Sequence, residues 1–171
     1  MKSMKLETIV EQLKEERFAD YVALNPPISL EEILEAEKDL PFPLPAFYRE
    51  FLQLANGGEI HGDRFFGIYP SGKPTADAYD LVEWNSKQEN FEGVEQFFGN
   101  LIVVAGRDTG DLLVIRPNDE TLYVSWHTDY SELDDEEYGS LLDVLTERLE
   151  WLEDDPVLTI WQKIGWWIRN L

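Results

Sequence analysis

The only two histidines each begin a His-x-Asp pattern, His61-Gly62-Asp63 and His127-Thr128-Asp129. Brought together by strands, two imidazoles and two carboxylates would make a four-ligand metal site and a metal-dependent hydrolase. Matches this short also arise by chance, and a histidine at a strand end more often hydrogen-bonds locally. The chain has no cysteine, so it has no disulfide, thiolate zinc site or cysteine nucleophile. Ser29 and Ser140 read as helix caps, and Ser71, Ser86, Ser125 and Ser131 lie in no nucleophile-elbow pattern. Asp108-Thr109-Gly110-Asp111 is too short for a calcium loop. Neither a phosphate-cradling nor a dinucleotide glycine pattern occurs, so no cofactor is expected.

Carboxylates are the chemistry present in excess. Lys and Arg total 14 against 35 Asp and Glu, a formal net charge of -21. Nucleic-acid phosphates and anionic membranes repel such a chain, and a basic protein is attracted and steered toward it. The charge is densest over residues 129–155, where twelve acids face Arg148 alone. A solvated helix would ordinarily interleave lysines, since like charges at i, i+4 cost a few tenths of a kcal/mol each. Their absence points to a cationic partner, with plain solubility as the bland account. Asp143, Glu147, Glu150 and Asp154 are spaced to share one helix face. Trp151 lies beside that stripe, either as an interface anchor or packed under a following helix. The candidate partner-binding residues are therefore Asp134, Asp135, Glu136, Glu137, Asp143, Glu147, Glu150, Trp151 and Asp154.

The elements that must position these residues follow from periodicity and breakers. Leu6, Ile9, Val10 and Leu13 predict an amphipathic helix over residues 5–18. Asn25-Pro26-Pro27 breaks the chain, and Ser29 with Glu32 forms a capping box for a helix ending at Leu40. Pro45 opens a third helix with Phe47, Tyr48, Phe51, Leu52 and Ala55 on one face, and Asn56-Gly57-Gly58 stops it. A strand is expected through Phe65, Phe66, Ile68 and Tyr69. A helix capped by Thr75 should run to about Gln88. Residues 101–105, 111–116 and 121–126 read as strands, and residues 128–139 as an acidic loop. Ser140, with Asp143 as its capping-box partner, starts a helix whose inward face is Leu141, Leu145, Leu149 and Leu152. Asp155-Pro156 ends it and starts an amphipathic tail helix expected to dock on the core.

Leu44-Pro45-x-x-Tyr48-x-x-Phe51-Leu52, then Asn56-Gly57-Gly58 and Phe66-Gly67, resembles the signature of the SUKH superfamily. Ile102-Val103-Val104-Ala105, Gly110-Asp111 and Trp126-His127 look like its later strands, so the likeness covers about residues 30–152. That superfamily holds fungal regulators of cell-wall synthesis and bacterial immunity proteins. The resemblance implies an α+β domain with a mostly antiparallel central sheet flanked by helices. One domain is expected over residues 1–171: an N-terminal helix and linker to residue 27, the core over 28–155, and the tail helix over 156–171. The resemblance also implies a non-enzymatic binding protein of the immunity type, and the lack of cysteine and of a signal-peptide pattern makes the cytoplasm its expected home. Its partner would be a basic toxin, a nuclease by charge mimicry of phosphate, with a regulatory scaffold for an endogenous protein as the alternative. The motif residues themselves are expected to build the fold rather than to bind.

Overall fold

A computed structural model describes residues 5–69, 79–86, 101–125 and 133–155. Among them, five α-helices flank a seven-stranded sheet in which every neighbouring pair is antiparallel. The strands lie in chain order: β1 (Val22–Leu24), β2 (Gly58–Ile60), β3 (Asp63–Phe65), β4 (Ile102–Gly106), β5 (Leu112–Ile115), β6 (Leu122–Ser125) and β7 (Leu133–Gly139). Leu113, Val114 and Ile115 are all fully buried, so both faces of the sheet are covered at its centre. Among the described residues, no helix is long and apolar enough to cross a membrane.

Helix α1 (Leu6–Leu13) buries Leu6, Ile9, Val10 and Leu13, the predicted stripe. The helix expected to continue to Phe18 breaks after Leu13, and a 3-10 turn over Glu16–Phe18 buries Phe18 instead. Helix α2 (Leu30–Ala36) starts at the expected capping box. Ser29 Oγ accepts the Glu32 N–H at 3.3 Å, and Ser29 N–H donates to Glu32 at 3.1 Å. A 3-10 turn over Glu37–Asp39 follows. Glu37 then accepts two hydrogen bonds from Arg49, at 2.6 and 2.8 Å, and one from the Leu44 N–H at 3.0 Å. The proline link is thereby clamped between α2 and α3 (Ala46–Leu54).

The residues around α3 join helix to sheet through the backbone. The fully buried Tyr48 hydroxyl shares its proton between Phe66 O at 2.8 Å and Val104 O at 2.9 Å. Asn56 closes a two-way pair with Ile68, donating to its carbonyl at 2.7 Å and accepting its N–H at 2.8 Å. Tyr69 Oη donates to Asn56 O at 2.8 Å and accepts from Asn25 at 3.0 Å. Gly57 and Gly58 have φ of 68° and 133°. A Cβ on Gly58 would lie 2.3 Å from Ala23 O, so β1 can pair with β2 only across a glycine.

Three expectations fail locally. The single strand through Phe65–Tyr69 is replaced by a β2–β3 hairpin whose two-residue loop is His61-Gly62, with φ of 50° and 85°. That is the type I′ arrangement, and strands of three residues are too short to display a period. After Phe65 the chain keeps one backbone bond to β4, from Phe66 N–H to Val104 O at 2.8 Å, and then makes a parallel bridge, Gly67 with Asp80. Helix α4 (Leu81–Ser86) starts after Asp80, whose Oδ1 accepts the Glu83 N–H at 2.7 Å; Thr75, the expected cap, lies outside the described residues. The expected acidic loop is, over Leu133–Gly139, strand β7. Pairing with β6 overrides the poor strand propensity of four successive acids. The tail helix over residues 156–171 also lies outside the described residues.

Two variants test the join between α3 and the sheet. Tyr48→Phe removes a buried hydroxyl between two carbonyls and should lower unfolding free energy by about 1–3 kcal/mol in urea titration. Gly58→Ala adds a β-carbon against backbone at positive φ and should be worse than about 2 kcal/mol. A midpoint unchanged in both would contradict the described geometry.

Candidate partner-binding face

Helix α5 (Leu141–Asp154) leads straight on from β7, and its start is fixed by the expected capping box. Ser140 Oγ accepts the Asp143 N–H at 3.2 Å, and Ser140 N–H donates to Asp143 at 2.9 Å. These bonds from the Ser140 hydroxyl and N–H hold the Asp143 carboxyl below the usual carboxylate range. The inward stripe is Leu141, Val144, Leu145, Leu149 and Leu152, and α5 packs on α1.

Arg148 belongs to that inward stripe. Its Nε donates to Asp63 Oδ2 at 2.8 Å, and the two residues are 8% and 1% exposed. Asp63 Oδ1 accepts the Asp108 N–H at 3.3 Å and lies 3.9 Å from the Arg107 guanidinium. Burial opposes the Arg148 charge, and the charge and hydrogen bond of Asp63 more than offset it, leaving the pKa above the ordinary arginine value. Arg107 lies over the Tyr138 ring at 5.0 Å, and Tyr138 Oη donates to Glu147 at 3.3 Å. Glu147 is also 4.0 Å from Arg148. The only cation of residues 129–155 is therefore spent inside the domain.

The outward face keeps its carboxylates. Asp143, Glu147, Glu150 and Asp154 are all exposed, as their spacing predicts. They are not equivalent: Asp143 caps the helix, Glu147 faces the Arg148 network, and the neighbouring Glu153 pairs with Arg17 at 3.0 Å. Glu150 and Asp154 have no ion-pair partner among the described residues. Trp151 lies between them and is 58% exposed. Its ring stands edge-on to His61 at 4.7 Å, and His61 stacks on Tyr21 at 5.8 Å. The β2–β3 turn thus props the tryptophan outward, a relation no local pattern predicts. Asp134, Asp135, Glu136 and Glu137 lie on β7, the last strand of the sheet and the one continuous with α5.

The His-x-Asp reading loses its first pair. Asp63 is buried and engaged by Arg148, and His61 packs between two aromatic rings. His127 and Asp129 lie outside the described residues. Among the described residues, no group of three His, Asp or Glu side chains could hold a metal. The Asp63–Arg148 pair was detectable in part, since Arg148 falls at i+3 from Leu145 and i−4 from Leu152.

Arg148→Met should destabilise the protein by about 3–5 kcal/mol, because Asp63 stays buried without its close partner. Adding Asp63→Asn should recover part of that loss in a double-mutant cycle by denaturant titration, and strict additivity would show that the pair is not coupled. Asp143 supplies a pH test. Its folded pKa is depressed, so its contribution is complete above the unfolded value, about pH 4, and is lost as pH falls through the folded one. The stability gap between the native protein and Asp143→Asn should therefore narrow from pH 5 to pH 2 in thermal melts.

A family model described as SMI1 / KNR4 family (SUKH-1) matches residues 27–154. No curated protein matches the chain.

Proposed function

The chain belongs to the SMI1 / KNR4 family (SUKH-1), and from that premise we propose that it is a non-enzymatic immunity protein. It acts by occupancy, laying the acidic face of α5, with the acids of the adjoining strand β7 beside it, over the basic substrate groove of a protein toxin. The observation that carries this reading is the inward turn of Arg148, which leaves Glu150, Trp151 and Asp154 outside with no cation of their own helix beside them. Carboxylates along a helix imitate a run of phosphates, so a nuclease is the toxin class whose groove they fit. Asp134, Asp135, Glu136 and Glu137 extend the negative charge along the adjoining strand. Trp151, held by His61 and Tyr21, is the anchor to be buried at the centre of the contact. Acidic flanks steer encounter, and the aromatic anchor sets residence time. The reading places the protein in the cytoplasm, where an incoming nuclease would act.

The test is co-expression with the toxin encoded in the adjacent reading frame, followed by stopped-flow kinetics on the purified pair. Glu150→Lys/Asp154→Lys should slow association about tenfold at low salt and flatten its salt dependence. Glu147 is left alone because a lysine there would face Arg148 and disturb the fold. Trp151→Ala should mainly speed dissociation, by about tenfold or more. Unchanged association and salt slope in the charge-reversal variant would remove this face. A housekeeping protein as the only tight partner would favour a regulatory scaffold instead.

A further inference from the structure

A second surface lies at the other end of the helical row. Helix α5 packs on α1, α1 on α3 and α3 on α2, and beyond α2 the chain forms a cleft of about 550 Å³ against Tyr69 and the start of α4. We infer that this cleft seats one arginine or lysine side chain carried by an extended segment of a protein partner.

Its floor is apolar: Ala36, Ile68, Val82 and the ring of Tyr69. Among the described residues its rim carries Glu32, Glu35, Asp39, Asp80 and Glu83, and Lys38 is the one cation there. Lys38 is already paired with Glu35. An apolar floor under a negative rim is complementary to a side chain with a methylene stem and a cationic head. The rim is held in place before any ligand arrives. Asp80 accepts the N–H groups of Tyr69 at 2.8 Å and Glu83 at 2.7 Å, and Glu32 is fixed in the α2 capping box. Those N–H and hydroxyl donors orient the Asp80 and Glu32 carboxylates. The Tyr69 hydroxyl registers the resulting field, since burial and then the Asp80 charge push its pKa up. No three carboxylates converge on one point among the described residues, which suits a broad guanidinium or a mobile ammonium better than a bare ion. The chain leading into the floor is tied to the start of α4, since Gly67 donates to Tyr79 O at 3.1 Å and accepts from Leu81 N–H at 2.7 Å. This site does not depend on the α5 face, and the two can be tested apart.

Capped Gly-Arg-Gly, Gly-Lys-Gly and Gly-Gln-Gly peptides should be titrated into the full-length protein and followed by amide chemical shifts. The two basic peptides should shift Ile68, Tyr69, Val82 and Glu83 with millimolar affinity, and the glutamine peptide should not. Asp39→Asn should weaken binding about two- to threefold. Ala36→Trp, which fills the floor, should abolish it, and Glu150→Lys/Asp154→Lys should leave it unchanged. Equal binding of the glutamine peptide, native-like binding by Ala36→Trp, shifts confined to α5, or no shifts at all would each overturn the inference.

Discussion

The contact on which the rest depends is the buried pair between Asp63 and Arg148. It joins the β2–β3 hairpin to α5 across a wide sequence separation. Taking two charges out of water is expensive, and an apolar pair of similar volume could serve stability as well. What an apolar pair could not do is fix one register of helix on sheet through a directed 2.8 Å bond. Together with the five buried aliphatic residues of the same stripe, that bond accompanies the outward placement of the other α5 residues. Trp151 lies above His61, two residues before Asp63 on the same hairpin. The ion pair thus joins the hairpin and the helix at the place where Trp151 meets His61.

Its second consequence is electrostatic. A helix with one arginine among many acids would ordinarily use it outside to relieve repulsion. Here the arginine is turned inward, within 4.0 Å of Glu147 alone in the outer stripe, so Glu150 and Asp154 keep their mutual repulsion. The helix tolerates this because other terms hold it: the Ser140–Asp143 capping box, five buried aliphatic residues against the domain, and Arg17 reaching across to Glu153. Asp143 shows that the acids of one stripe are not equivalent. It belongs to the acidic stripe by spacing, yet its carboxylate is engaged by the helix start, whereas Glu150 has no such engagement.

Helices with complete local signals were legible. Ser29-x-x-Glu32 and Ser140-x-x-Asp143 each carry the whole start signal within four residues, and both caps form as read. Strands β4, β5 and β6 were legible because buried runs of four or five apolar residues outlast chance. The hairpin and β1 were not, since a three-residue strand carries no periodicity and His-Gly is a weak turn signal. Strand β7 was hidden for the opposite reason: its acids argue against a strand, and only the partner strand β6 settles the matter. The Tyr21–His61–Trp151 stack joins three separate segments and has no local trace at all.

The residues that identify the family are those least able to say what the protein binds. Tyr48, Asn56, Gly57, Gly58 and Gly67 are all buried. Each is occupied in holding one backbone segment against another: a hydroxyl between two carbonyls, an amide closing on Ile68, glycines where a β-carbon would strike the chain. A signature of this kind specifies a scaffold, because its chemistry is saturated internally and none is left to present. Groups able to recognise a partner are then those the scaffold leaves unsatisfied. Glu150, Trp151 and Asp154 meet that description: the aliphatic stripe of α5 turns them outward, and the one arginine of the helix is turned inward to Asp63.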